Sequence, residues 1–217
     1  MPAVLTDTRN VTIGIVGFSA VVDKYPLGPK LMEELTAAFA NNDGYSVENF
    51  TWSPVHVVQR YQGGEMPIPD RIVLVGLASK SCTPGKIAAY RWLGGDQSPL
   101  HLQDRIYEAV TGIVDLENTL MIGSHFGVWP SECFSVEIDL QPDTFGTIVM
   151  AENEGLDNED FLTEKLGFSP EIARAELVST IVKTAKADLD DIDAVDKDAS
   201  SLVPVKPFTS NHPISTR

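Results

Sequence analysis

Three nearly continuous apolar runs constrain the fold of this 217-residue chain more than any other feature. They cover residues 11–17, 71–77 and 119–123, and each is rich in aliphatic and β-branched residues. Strands that are buried on both faces need this composition, because neither face meets water. We therefore predict three inner strands of a parallel sheet. Two segments with alternating polarity, 47–52 and 135–140, predict strands nearer the edges of that sheet.

Helix start signals lie between these runs. Gly28-Pro29, Ser53-Pro54, Ser98-Pro99 and Ser169-Pro170 each come before apolar residues at helical spacing. Proline suits the first position of a helix because its missing N–H has no partner there, and serine suits the cap because its oxygen accepts a free N–H. Strands that alternate with helices predict an α/β fold, a three-layer sandwich with a mainly parallel sheet flanked by helices, of the phosphorylase/hydrolase-like kind.

The charge balance narrows the classes of partner. The chain has 16 Lys and Arg against 31 Asp and Glu, a net charge of −15 at pH 7. Nucleic acids and anionic membrane surfaces are bound through basic side chains, so neither is expected as a partner. The chain opens without a charged and then apolar leader, and no apolar run approaches about 18 residues. We therefore expect a cytoplasmic protein.

The acidic residues also indicate the domain organisation. Six aspartates fall within residues 187–200, and prolines, serines and threonines follow them. We predict one α/β domain over residues 1–189, with an enlarged region at 124–165, and an acidic tail over 190–217 that has no core of its own. A solvated tail is the simplest interpretation, and docking on a basic partner surface is the alternative.

Candidate site residues are sought where inner strands end, because ligands of such sheets bind at the carboxyl ends of the strands. Asp23 lies in the loop after the first run, where it is either a turn carboxylate or a site residue. His101 lies in the first turn of a predicted helix, and His125 follows the third run. Either histidine suits a metal ligand or a hydrogen-bonded structural role.

A second candidate is the loop after the run 71–77, which carries Ser79, Lys80 and Cys82. It would serve an enzyme of another class with a repurposed cleft. Cys82 has no histidine beside it in the sequence, which argues against a nucleophile there. The chain has no dinucleotide fingerprint and no phosphate-binding loop motif.

The order of these features resembles the nickel-hydrogenase maturation proteases over residues 11–189. That family opens with a strand, a G-x-G-N loop, an acid pair and a glycine that heads a helix, and residues 13–17, Asp23 and Gly28-Pro29 are similar. Residues 83–87 resemble the Pro-Gly segment after the family's third strand. Residues 98–101 resemble its Ser-Pro-His, and residues 166–171 resemble its closing Leu-Ser-Pro-Glu helix.

The resemblance implies an endopeptidase that recognises nickel in the large-subunit precursor of a metalloenzyme and removes a C-terminal peptide from it. The family's metal site uses an acid after strand one, an acid after strand three and a histidine. Asp23 matches the first position and His101 the third, whereas the second falls at Val75 or Gly76, which are not acids.

This departure leaves alternatives open. His125, His56 or Cys82 would have to supply the missing metal ligand. With such a replacement ligand, the resemblance implies that the site holds a divalent metal, with nickel borne by the substrate. It also leaves a second hypothesis, a catalytically degenerate member that acts as a binding or assembly factor for a protein partner.

Overall fold

The computed structural model describes residues 9–78, 83–92, 94, 98–187 and 202–204, excluding the side chains of His101 and of residues 202–204. The strands are β1 (Val11–Ile15), β2 (Tyr45–Asn49), β3 (Arg71–Leu77), β4 (Ile87–Arg91), β5 (Glu132–Ile138) and β6 (Leu202–Pro204). They form one sheet in the order β2-β1-β3-β5-β4-β6. The four strands β2, β1, β3 and β5 are parallel, whereas β4 runs antiparallel to β5 and parallel to β6.

Helices cover both faces of the sheet. They are α1 (Pro29–Phe39), α2 (Pro54–Gln62), α3 (Pro99–Val110), α4 (Leu116–His125), α5 (Thr144–Glu154), α6 (Glu159–Leu166) and α7 (Pro170–Lys186). Apolar residues of α1, α5, α6 and α7 form one core with the sheet, and those of α2, α3 and α4 form a second core on the other face. The predicted three-layer α/β fold is confirmed. Within the described ranges, no helix is both long and apolar enough to cross a membrane.

The predicted helix starts are confirmed at all four prolines, but the serine caps are only partly so. Ser169 Oγ accepts from the Ile172 N–H at 3.0 Å, whereas no side-chain hydrogen bond caps α2 or α3. Ser53 Oγ instead donates to the Ala109 carbonyl at the end of α3, at 3.3 Å. Proline at the first position is therefore sufficient to mark these starts.

The prediction of a strand over residues 119–123 is wrong, because this run lies inside α4. Asp115 caps that helix by accepting the Asn118 N–H at 2.6 Å. All residues from Asn118 to Gly123 are buried, so no polar face breaks the apolar run. A helix buried on all sides has the composition of a buried strand, and periodicity does not separate the two.

The prediction of a strand over residues 135–140 is confirmed as far as Ile138, but its predicted edge position is wrong. Residues up to Ile138 belong to β5, which lies between β3 and β4 inside the sheet. The alternation arises because Ser135, Glu137 and Asp139 are polar although all three are buried. The region 124–165 therefore includes an inner strand of the sheet as well as α5 and α6.

A buried guanidinium joins the sheet to a helix. Arg71, at the start of β3, is fully buried and its Nη2 lies 2.7 Å from Glu132 Oε2 at the start of β5. Its Nη1 donates to the carbonyls of Thr184, Ala185 and Ala187 at 2.6–3.1 Å, which are among the last acceptors of α7. Helix C-termini have carbonyls without helical partners, and a cation satisfies them well.

Replacing Arg71 by Met should lower the free energy of unfolding by about 3–5 kcal/mol, because Glu132 and the carbonyls of α7 lose a buried charge partner. Urea unfolding measures this change. Arg60→Met is the matched control, because Arg60 pairs at 3.5 Å with an exposed Glu65 and such pairs contribute at most about 1 kcal/mol. Equal effects of the two substitutions would contradict the structural role of Arg71.

Candidate active site

The candidate site lies where the parallel strands end. We call the edge at the carboxyl ends of β1, β2, β3 and β5 the carboxyl edge, and the opposite one the amino edge. The chain leaves β1 for β2 on one side and then crosses to β3 on the other. Ligands in open α/β sheets bind outside the carboxyl ends of the strands, near such a reversal of strand order.

Glu137 is a buried carboxyl group near this edge. Its residue is 5% exposed, and it lies between Gly76 of β3 and Ala88 of β4 in the strand register. Burial raises the pKa of Glu137 from 4.5 to about 7, although Ser135 Oγ donates to its Oε1 at 2.9 Å and favours the ionised form. A group with this pKa exchanges protons readily near neutral pH.

Two other titratable groups interact electrostatically with Glu137. The negative charge of Glu117, in the first turn of α4, raises the pKa of Glu137 further. Burial and then the charge of Glu137 raise the pKa of Tyr90 on β4, so its phenol stays protonated at neutral pH. Perturbed titratable groups of this kind gather at functional sites more often than elsewhere.

Gly76 determines how closely α4 approaches these groups. A Cβ atom at Gly76 would lie 3.0 Å from Leu116 Cβ, at the start of that helix. The missing side chain therefore lets the first turn of α4, with Glu117, lie against the end of β3. A substitution at Gly76 would push this turn away from the sheet.

Asp139 has a different role, because it holds the entry to β4. It is 6% exposed, and its Oδ2 accepts the Thr83 N–H at 2.6 Å. Its backbone accepts from Gly85 N–H at 2.7 Å and donates to the Lys86 carbonyl at 2.8 Å. These bonds position the start of β4 next to the carboxyl edge.

Asp23 lies at the carboxyl edge, as its place after β1 predicts. Its side chain is exposed. The next residue, Lys24, donates its N–H to Glu152 Oε1 of α5 at 3.0 Å, which ties this loop to the helix layer. The Asp23 side chain is therefore accessible to a molecule that binds at this edge.

The structure does not bring His125 to Asp23. His125 ends α4, and the residue before it, Ser124, accepts a hydrogen bond from Trp92 Nε1 at 2.5 Å. The backbone N–H of Trp92 donates to the Cys133 carbonyl at the start of β5. This end of α4 therefore lies at the amino edge. The expectation that His125 follows a strand at the carboxyl end is wrong, because the preceding run is a helix.

His101 lies in the first turn of α3, and its side chain is outside the described residues. The other end of α3 reaches the carboxyl edge, where Ala109 accepts from Ser53 just after β2. About 12 Å of helix rise separates these two turns. The backbone of His101 therefore lies at the other end of α3, away from the Ser53 contact at the carboxyl edge.

The nucleophile candidates Ser79, Lys80 and Cys82 all lie outside the described residues. Cys133 is fully buried, and burial raises the pKa of its thiol far above the usual range, which makes it inert.

The described residues do not form a metal centre. They contain no group of three or more His, Cys, Asp or Glu side chains that would hold a metal ion. His56, considered above as a replacement ligand, is exposed and lies beside the Trp52 ring at 5.7 Å. His101 and Cys82, two members of the ligand set considered above, have side chains outside the described residues, so that set stays a prediction.

Sequence reasoning missed Glu117 and Glu137. Both carboxyl groups lie on segments whose type or position was predicted wrongly, the run at α4 and the strand β5. For Glu137 the available signal was an acid near the carboxyl end of a predicted strand, which is a position typical of site residues in α/β sheets.

Similarity to known proteins is confined to structure. No protein-family model and no curated protein matches the chain. The solution structure of an endopeptidase from Escherichia coli has a TM-score of 0.36 and 14% identity, covering 71% of this chain and 93% of that chain. The N-acetylmuramoyl-L-alanine amidase from Clostridium difficile 630 has a TM-score of 0.36 and 9% identity, covering 83% of this chain and 100% of that chain. Both are weak structural neighbours with hydrolase names, and at these TM-scores neither bears on the activity of this chain.

Replacing Glu137 by Gln should make the protein more stable relative to wild type as the pH rises from about 4.5 to 7. The pKa of Glu137 is raised on folding, so the folded state holds a proton that the unfolded state has lost in this window, and the wild type loses stability there. The difference between the two proteins should grow by up to about 3 kcal/mol.

Urea unfolding at several pH values measures this difference. Glu33→Gln on α1, which replaces an exposed carboxylate, serves as the control and should show no such trend. A stability difference between Glu137→Gln and wild type that does not change with pH would contradict the raised pKa.

Proposed function

We propose that this protein is a hydrolase of peptide bonds in which Glu137 carries the proton. The observation that supports this most is a buried carboxyl group near the carboxyl edge with a pKa of about 7. Such a group is ionised often enough to act as a base and protonated often enough to act as an acid.

In the proposed reaction, the Glu137 carboxylate takes a proton from a water molecule as the water oxygen attacks the peptide carbonyl carbon. The C–N bond then breaks, and Glu137 returns the proton to the leaving nitrogen. One water is consumed, and a carboxylic acid and an amine are formed. Tyr90, protonated and influenced by the charge of Glu137, supplies a hydrogen-bond donor near this carboxyl group.

The substrate proposed is a metalloenzyme large-subunit precursor in the cytoplasm, from which a C-terminal peptide is removed. The resemblance in the order of features supports this choice. An exposed carboxylate at Asp23 would offer an oxygen ligand to nickel borne by the substrate, and nitrogen and oxygen ligands suit Ni²⁺. Nickel is then part of the substrate and not a resident cofactor.

A second candidate function is a binding or assembly factor without peptidase activity. The observation that favours it is the separation of Asp23, at the carboxyl edge, from His125, at the amino edge. Such a protein would hold the same precursor and leave its C-terminus intact.

Incubation with nickel-loaded precursor, followed by mass spectrometry of its C-terminus, tests these functions. We expect wild type and the Glu33→Gln control to remove the C-terminal peptide. Glu137→Gln should be slower by about 10²–10⁴-fold, because the amide cannot accept the proton. The wild-type kcat/KM should rise with pH through about 7, because the base must be ionised.

Two outcomes would contradict the proposal, one the role of Glu137 and the other the peptidase activity itself. Glu137→Gln that cleaves at the wild-type rate would remove the proposed role of Glu137. A tight wild-type complex with an unchanged precursor C-terminus would establish the assembly factor. Asp23→Asn should reduce the preference for nickel-loaded over nickel-free precursor, a readout that does not depend on the chemical step.

A further inference from the structure

The outer edge of β4 presents backbone hydrogen-bonding groups to a further strand. Trp92 N–H donates to the Cys133 carbonyl, and Asp139 N–H donates to the Lys86 carbonyl, each at 2.8 Å. Even-numbered residues of this segment therefore direct their backbone groups to β5. Because successive residues of a strand point to opposite neighbours, Ile87, Ala89 and Arg91 direct theirs to the outer edge.

A segment from the end of the chain occupies part of this edge. Leu202, Val203 and Pro204 of β6 lie opposite Ala89, Tyr90 and Arg91, in parallel. In a parallel ladder with this register, Val203 is the residue whose N–H and C=O face Ala89 and Arg91. Leu202 and Pro204 direct their backbone groups away from β4, which is why a proline is tolerated there.

The direction of this pairing relates it to the candidate site. β4 begins beside Asp139 at the carboxyl edge, and Ala88 lies opposite Glu137. A chain paired in parallel with β4 therefore has its N-terminal side toward the carboxyl edge. Strands in a sheet are about 4.8 Å apart, so its backbone would run about 10 Å from that of β5, which carries Glu137.

We propose that the outer edge of β4 is a strand-pairing site for an extended segment of the protein substrate, and that β6 occupies it in cis as a competing segment. This inference rests on the proposed peptidase function. In that reaction the paired segment is the C-terminal peptide to be released. The bond to be cut lies on its N-terminal side, toward Glu137.

Two features suit β6 to a displaceable role. It is only three residues long, so few hydrogen bonds hold it, and short edge pairings open more readily than core strands. It also ends at Pro204, which has no N–H to extend a ladder. Addition of a strand to an exposed sheet edge is a common mode of peptide recognition in which backbone hydrogen bonds supply affinity.

The test uses a fluorescent peptide, Ser-Ser-Leu-Val-Pro-Val-Lys, which copies residues 200–206, and the full chain in the Glu137→Gln background so that no cleavage interferes. Val203→Pro removes the N–H that faces β4 and should free the edge. We expect the peptide to bind this variant with a Kd at least about tenfold lower than it binds the parent chain, because the competing state is lost.

Leu202→Pro is the matched control. It places the same residue one position earlier, where the N–H points away from β4, so peptide affinity should equal that of the parent chain. A peptide methylated at the nitrogen of its first valine should not bind either protein. Equal affinity of Val203→Pro and Leu202→Pro for the peptide, or undiminished binding of the methylated peptide, would overturn the proposal.

These outcomes are separable from those of the proposed function. Tight peptide binding to Val203→Pro, together with wild type that never cleaves the precursor, would retain the pairing site and reject the peptidase. Cleavage that depends on Glu137, together with an unchanged peptide affinity in Val203→Pro, would retain the peptidase and reject the pairing site.

Discussion

The buried charge of Arg71 links the layers of this protein at the amino edge. It ties the start of β3 to the start of β5 through Glu132, and both strands to the end of α7 through backbone carbonyls. Helix α7 packs on β3, β4 and β5, so this contact fixes the register of the inner strands against the helix that covers them. A charge buried this completely is stabilising only while all its partners stay in place.

Near the carboxyl edge the buried titratable group is an acid, whereas at the amino edge it is the cation Arg71. Glu137 is buried with the charge of Glu117 acting on it, and the ionised form is disfavoured. Helix α4 creates this arrangement, because it approaches β3 where Gly76 leaves room for Leu116. The sheet thus holds a compensated cation at one edge and a proton-exchanging carboxyl group near the other. The Arg71 contacts favour stability. The buried Glu137 carboxyl group is not needed for stability, and groups of this kind are more common at functional sites.

Local signals predicted much of the fold, because they depend on residues close in sequence. Proline at a helix start and an aliphatic run bounded by loops define α1, α7, β1 and β3 without tertiary information. The failures concern residues whose environment is set by distant segments. Residues 119–123 are apolar on every side because α4 is enclosed. The alternation around Glu137 suggested an edge strand, whereas β4 and α4 bury it. His125 was predicted at the wrong edge because the helix that it ends was predicted as a strand. Asp23 does lie at the predicted edge.

The most direct test of the proton-carrying role of Glu137 is a carbon NMR titration of its carboxyl group in the intact protein, assigned by its loss in Glu137→Gln. We expect a midpoint near pH 7, and a lower midpoint in Glu117→Gln, where the neighbouring negative charge is removed. A midpoint near 4.5, unchanged in Glu117→Gln, would show an ordinary carboxylate and contradict the proton-carrying role of Glu137.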